Sequence, residues 1–326
     1  MASSTSTQPQ SQTQSHLTLR SYKPSDFEQV HFIFYSTYFA LVPEGVKQKI
    51  KTPLFWIGWL LVYFYLLSIV PVVLSGMPVP SWAAFALQIF FTFAWIAVSF
   101  AGVFVLTDRF DAVEYIEQAR QNDLQDPEIT YMNYIKEEHI VSDDKETKSH
   151  FWVLQMDNQL CGMIGLAQYQ EIQYDQRPPL PPGWKKIGQL LCERYNFSIP
   201  SFLQFDTAQN ENSIILAQPH APHTASLQRL AVKQEYHGCG LSTLLINRAL
   251  TWAYEQGITQ VFAVTNEMQS TAAKILQQQH QFTMVKKEKK NWFGNYEITW
   301  VCHVQQWYDT HTDALNMFKN TTNTTD

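Results

Sequence analysis

Apolar and polar positions are distributed very unevenly along the chain. Pro53 to Leu106 is a run of 54 residues without one Asp, Glu, Lys or Arg. Gly76-Met-Pro-Val-Pro80, a turn signal, splits it into Leu54–Ser75 with 22 residues and Trp82–Leu106 with 25. About 20 apolar residues cross the hydrocarbon core of a bilayer, and backbone groups in lipid must bond within their own segment. Residues 53–106 are therefore expected to form a hairpin of two transmembrane helices, with Trp56, Trp59 and Trp82 as interfacial anchors. Pro71 would kink the first pass or end it early. A pair of long helices buried in a soluble core is the other reading of the same run. Lys47, Lys49 and Lys51 precede the first pass and the turn carries no positive charge, which puts residues 1–52 in the cytosol. After two passes, residues 107 onward lie there too.

Elsewhere the periodicity shortens. His16–Tyr22 alternates as a strand does, and Pro24-Ser25-Asp26 supplies cap chemistry for a helix through about Tyr38. Beyond the apolar run, Asp108–Gln121 is amphipathic, with Phe110, Val113 and Ile116 on one face, and Asp126-Pro127-Glu128 opens another helix. Phe151–Met156 and Leu160–Tyr169 flank an Asp157-Asn158 turn and read as a strand pair. Strands at 226–232 and 258–265 alternate with helices at 240–255, closed by Gly257, and at 270–280; 282–287 and 296–304 make a last hairpin. This order predicts an α/β fold with a mixed sheet, helices on its faces, and the membrane hairpin inserted in it. The folded domain is expected over 17–52 and 107–304, with 305–326 a tail.

Residues 1–16 are almost wholly Ser, Thr and Gln, read as a disordered tail without the apolar core of a signal peptide. Residues 170–223 form an insert too long for a hairpin loop. It carries a stiff Pro-rich stretch (177–183), a short amphipathic helix near Lys185–Tyr195, and the aromatics Trp184, Phe197, Phe202 and Phe205. These suggest a lid that touches the membrane. Only 16% of residues are charged, against about 25% in ordinary domains. A net charge of −6 argues against nucleic acid as a partner. The four cysteines (Cys161, Cys192, Cys239, Cys302) have no metal-ligand spacing, so no metal is expected. N-x-[ST] sequons stand at Asn196, Asn320 and Asn323, relevant only on a lumenal face.

The chemistry concentrates where the strand ending at Val232 passes through Lys233–Cys239 into the helix that starts at Gly240. Glycine reaches backbone conformations other residues resist, and the free N–H groups of a helix start form an anion site suited to a pyrophosphate. A tight turn without a ligand fits the same residues.

His237-Gly238-Cys239-Gly240-Leu241-Ser242 resembles the pyrophosphate loop of the GNAT acetyltransferases, Arg/Gln-x-x-Gly-x-Gly/Ala, with His237 and Ser242 departing from it. In the later helix, Ala273, Leu276 and Phe282 match that family's pattern, whereas Ser270, Gln277 and Gln281 do not. The strands Phe151-Trp-Val and Leu160–Gly165 and the opening Arg20–Asp26 resemble its corresponding elements. The apolar insertion between the first and second helices is similar to the camello-like branch, which includes membrane-bound cysteine S-conjugate N-acetyltransferases. The resemblance implies acetyl-CoA as co-substrate and an amine as acceptor. Leu230, Ala231 and Val232 would pair with the pantetheine amides, and an N–H near Ala231 or Val232 would polarise the thioester. Gly238, Cys239, Gly240, Leu241 and Ser242 would hold the pyrophosphate, His237 would add charge when protonated, and Ala273 would lie against the cofactor. It also implies that the first strand rejoins the later ones in one sheet, which two passes allow and an odd number does not.

The acid and base are less evident. The family's thiolate-protonating Tyr is replaced by Gln277. Glu267 stands just past a strand end, either accepting the amine proton through water or lying as a solvated loop carboxylate. Cys239 reads as a small loop residue, and His220 and His223 as surface histidines or a proton relay. The leading expectation is an integral-membrane N-acetyltransferase for a small amphipathic amine. The resemblance places it in the endoplasmic reticulum with its catalytic domain facing the cytosol. A protein lysine or N-terminal acetyltransferase, or a catalytically silent membrane protein of this fold, are the alternatives.

Overall fold

The computed structural model describes residues 17–74, 80–132, 148–177, 183–195, 197–203, 215–291 and 294–311. The polar tail 1–16, the residues 76–79 of the turn signal, Pro178–Pro182 and the three sequon asparagines fall outside them.

Seven strands form one sheet in the order β1-β2-β3-β6-β7-β9-β8. They are β1 (Leu17–Ser21), β2 (His150–Met156), β3 (Gln159–Ala167), β6 (Thr224–Val232), β7 (Gln260–Asn266), β8 (Thr283–Lys289) and β9 (Tyr296–His303). Short β4 (Gln173–Tyr174) and β5 (Ile215–Ala217) pair separately inside the insert. All main-sheet neighbours are antiparallel except β6 and β7. β1 does rejoin the sheet across the long apolar insertion, pairing Leu17 with Met156 and Ser21 with Trp152.

Helices cover both faces, with a short α6 (Pro127–Met132) ahead of β2 and α7 (Gly183–Arg194) inside the insert. On one, α8 (Leu241–Glu255) and α9 (Ser270–Gln279) pack Leu245, Ile246, Leu250 and Leu276 against Leu227, Val261 and Trp300. On the other, α1 (Phe27–Phe39) and α5 (Val113–Gln121) pack Ile33, Phe34 and Ile116 against Phe151, Val153 and Met163. Arg20 clamps β1 to the start of α1 by two bonds to buried Asp26, at 2.6 and 2.9 Å.

Three elements differ from expectation. A helix, α2 (Val42–Ile50), precedes the apolar run. A π-helical stretch, Thr107–Ala112, joins the run to α5, so 108–121 is not one regular helix. Residues 304–311 are helical and belong to the fold, because Trp307 is fully buried and Tyr308 stacks on Tyr254 at 3.8 Å; the tail starts later than 305.

The apolar run forms α3 (Pro53–Leu74, 22 residues) and α4 (Ser81–Leu106, 26 residues). Pro71 lies inside α3 without ending it. The two helices touch through Trp59 and Trp95 and through Tyr63 and Thr92, yet Leu61 and Phe93 are 67% and 69% exposed. They are long and apolar enough to cross a membrane, and they are not a buried core pair.

Candidate active site

The site begins where the sheet splits. β6 and β7 pair in parallel from Thr224/Gln260 only as far as Leu227/Ala263. Past that point β6 stays with β3 through Val232, and β7 stays with β9 through Asn266. The two strands are no longer paired there, so the sheet splits between them.

A bulge in β6 marks the same place. Met163 faces Ala231 and Gly165 faces Gln228, so Arg229 and Leu230 together oppose Ile164. Arg229 has φ +54°, a conformation costly for a residue with a Cβ. Its guanidinium reaches buried Asp123 by two hydrogen bonds, Nε to Oδ2 at 2.7 Å and Nη2 to Oδ1 at 2.6 Å. Phe34 and Tyr115 flank it at 5.4 and 5.3 Å. Burial works against the charge, but the Asp123 carboxylate outweighs it and keeps Arg229 protonated. The Tyr131 hydroxyl donates to Asp123 at 2.7 Å, and Tyr169 donates to Gln228 at 3.0 Å. Burial, and then Asp123, push the Tyr131 hydroxyl well above the usual range.

α1 ties the two strand ends together. Thr37 donates to the Val232 carbonyl at 3.3 Å, and Asn266 Nδ2 donates to the Tyr38 hydroxyl at 3.0 Å. Burial raises the Tyr38 pKa well above its ordinary value, so this hydroxyl keeps its proton.

Below the split lies the glycine loop. A 3-10 turn, Gln234–Tyr236, follows β6, and α8 starts after Gly240, its N-cap. Gly238 and Gly240 have φ of +84° and +77°, and a Cβ at either would meet nothing within 4 Å. No side chain caps α8. The loop thus presents a helix start to open space that side chains do not fill, as a cradle for a diphosphate requires. The first helical bond is Leu244 N–H to Gly240 O at 3.2 Å, which leaves the N–H groups of Leu241, Ser242 and Thr243 ahead of it.

His237 is oriented differently from expectation. Its Nε2 lies 2.8 Å from the Val232 carbonyl. A carbonyl only accepts, so Nε2 carries a proton and donates it to this bond. His237 fastens the loop to the strand end. Cys239 is exposed in the loop, Ala273 is half-buried against the α8 face of the core, and Gln277 is exposed. His220 accepts the Tyr169 N–H through Nδ1 at 2.9 Å, and His223 bonds the Gly257 carbonyl. Both are structural anchors.

Glu267 follows β7 directly and is only 4% exposed, so it is not a solvated loop carboxylate. Its Oε2 accepts the Tyr296 N–H at 3.1 Å. Burial raises its pKa and nearby Asp111 adds to the rise, while Lys49 opposes it. Asp123, Arg229, Tyr38 and Asn266 lay outside the sequence-based set. They come together from residues up to 228 positions apart, and no local motif marks them. Among the described residues no group of His, Cys, Asp or Glu could hold a metal ion.

The sequence model of the Acetyltransferase (GNAT) family matches residues 113–280, more than half of the chain. The chain belongs to the GNAT acetyltransferase family. Acetyl-CoA-dependent acetyl transfer is the activity typical of GNAT proteins, and the split, bulge and glycine loop lie within the matched region. Solved structures similar to this GNAT chain include an acetyltransferase of the GNAT family from Staphylococcus aureus Mu50, with 9% identity over 89% of this chain and 99% of that one, and a TM-score of 0.39. Another is the ribosomal-protein-S18-alanine N-acetyltransferase of Escherichia coli, with 11% identity over 50% and 73%, and a TM-score of 0.29. No curated protein sequence matches the chain.

Proposed function

We propose that this protein is a membrane-anchored N-acetyltransferase that moves an acetyl group from acetyl-CoA to the amine of a small amphipathic molecule. The observation that carries the reading is the split between β6 and β7 directly above the open Gly238–Ser242 loop. In it the diphosphate rests on the N–H groups at the start of α8, through Gly238, Cys239, Gly240, Leu241 and Ser242. The pantetheine lies along Leu230–Val232 as an added strand, and Ala273 on α9 flanks the cofactor.

Acetyl-CoA supplies a thioester carbon activated toward nucleophiles. The chain's residues then place donor and acceptor together and handle the protons. The amine nitrogen bonds to that carbon, the C–S bond breaks, and the sulfur leaves as thiolate. The amine's surplus proton passes to Glu267 through water, and its raised pKa suits that role. Tyr38 accepts from Asn266, so its own proton stays free of that bond, and it takes the acid role that Gln277 cannot fill. Glu267 then gives up its proton and Tyr38 regains one through solvent, so the sum is amide plus CoA thiol.

The exposed apolar surfaces of α3 and α4 support anchoring in a bilayer, and Lys47, Lys49 and Lys51 ahead of α3 support a cytosolic side for the globular domain. The endoplasmic reticulum rests on the camello-like resemblance alone. The insert 170–223, with Phe197 and Phe202 exposed, is proposed as a lid over the acceptor. The test is CoA release by detergent-purified protein given acetyl-CoA and a panel of small amines and peptides, with Gly238→Glu as control. Turnover with small amines supports the reading. Turnover with peptides alone favours a protein acetyltransferase, and acetyl-CoA binding without turnover favours a silent relative.

A further inference from the structure

Between α3 and α4, in the half of the hairpin nearest the globular domain, lies a cleft of about 660 Å³. Gly58 and Val62 of α3 and Trp95 and Gly102 of α4 wall it with apolar surface. This is the size range of a small-molecule site. A Cβ at Gly58 or at Gly102 would meet nothing within 4 Å, so the two glycines keep the space open.

The base of the cleft is polar. Lys49 and Asp111 line it and form an ion pair, each only 12–13% exposed. Asn295 donates to Asp111 Oδ1 at 2.7 Å, while its own Oδ1 is buried and has no hydrogen-bond partner among the described residues. The next residue, Tyr296, gives its N–H to Glu267. Two carboxylates thus lie near the Lys49 ammonium, Asp111 paired with it and Glu267 within its electrostatic reach, beside an acceptor that has no partner among the described residues. A buried acceptor without a donor is costly, and excess acid there favours a second cation carrying N–H groups. An alkylammonium fits this demand; a neutral lipid tail meets none of it.

We infer that the α3/α4 cleft is the acceptor channel. It holds the hydrocarbon tail of a membrane-partitioned primary amine and delivers the amine past Lys49 and Asp111 to Glu267. The inference rests on the proposed acetyl transfer and narrows its acceptor to single-chain amphiphiles.

Two measurements on the full chain in nanodiscs test it. First, kinetics compare dodecylamine with propylamine in wild type and in Gly58→Leu and Gly102→Leu, whose side chains fill the cleft. kcat/KM for dodecylamine falls about tenfold or more, whereas that for propylamine and the affinity for acetyl-CoA stay as in wild type. Equal loss for both amines, or no loss for dodecylamine, overturns the channel. Second, a diazirine-bearing dodecylamine labels the cleft-lining Trp59, Val62, Trp95 and Val98, and unlabelled dodecylamine competes. Labelling of the outward-facing Leu61 and Phe93 instead, or equal labelling by the matching alcohol, shows a lipid groove and overturns the assignment. Cleft labelling in a protein that acetylates no amine retires the transferase reading and keeps the binding site. Turnover of propylamine without cleft labelling does the reverse.

Discussion

Arg229, in a left-handed backbone conformation at the bulge of β6, is held by both oxygens of Asp123, and neither side chain is more than 9% exposed. The pair joins the segment after α5 to the strand on which the pantetheine is proposed to lie. It supplies the interaction that keeps a costly φ at the point where the sheet divides.

Removing one partner therefore leaves a buried charge and releases the bulge. Asp123→Asn and Arg229→Met are each expected to lose about 3–5 kcal/mol of stability. The double variant Asp123→Leu/Arg229→Met recovers much of that stability. It does not recover acetyl-CoA affinity, because the bulge has lost its clamp. Denaturant melts and calorimetric titration of the three proteins check both halves; a double variant that binds acetyl-CoA normally would separate the ion pair from the site.

Glu267 gives the reaction its pH dependence. Burial raises its pKa above the ordinary 4.5, so the carboxylate that accepts a proton is absent in acid and forms as pH rises through the raised value. The acid limb of kcat is expected to have its midpoint above 4.5. Glu267→Gln flattens this limb and lowers kcat by about 10²–10⁴-fold. The same raised pKa means the folded state holds this proton more tightly than the unfolded chain. Its contribution to stability is thus largest in acid and declines as pH rises through the folded value, the opposite of the activity.

Tyr38→Phe tests the proton supplied to the leaving thiolate. The ring stacks on Tyr115 at 4.4 Å and is retained, so folding and acetyl-CoA affinity change little while kcat falls about tenfold or more. A thioester with a more acidic thiol restores much of the loss. A variant that is unchanged in kcat would remove Tyr38 from the mechanism.

The split site was legible only in part. Gly238 and Gly240 announce their loop locally, because a left-handed turn before an apolar helix start needs glycine. The 54-residue uncharged run announces the two long helices equally plainly. α2 is not legible because Lys47, Lys49 and Lys51 read as a charged flank rather than as a helix. The bulge at Arg229 depends on how β6 registers against β3, and Asp123 is 106 positions away, so no local pattern reveals the pair. Glu267 was singled out by position, but its burial depends on Tyr296 of β9 and on Asp111 beyond the hairpin. Residue type alone makes His237 a charge for the phosphates, and only the fold shows its Nε2 spent on Val232.

His280 predicts acid lability. It is fully buried, neither ring nitrogen has a partner among the described residues, and burial, with His311 adding, lowers its pKa from 6.5 to about 4. The unfolded chain takes up this proton more readily, so stability is complete above 6.5 and is lost as pH falls toward about 4. His280→Leu is expected to melt with a shallower pH dependence across that window, whatever its absolute stability. An unchanged slope would assign the lability elsewhere.

The account depends most on a diphosphate resting at the start of α8, and Ser242→Glu addresses this directly. An acidic residue in the first turn favours the helix by about 0.3–1 kcal/mol, yet it sets a negative charge where the phosphates would lie. Calorimetric titration with acetyl-CoA is predicted to show binding by the wild type and at least about a tenfold loss in Ser242→Glu, with a melting temperature equal or higher. Undiminished binding by a well-folded Ser242→Glu protein, or no binding by the wild type, would contradict it.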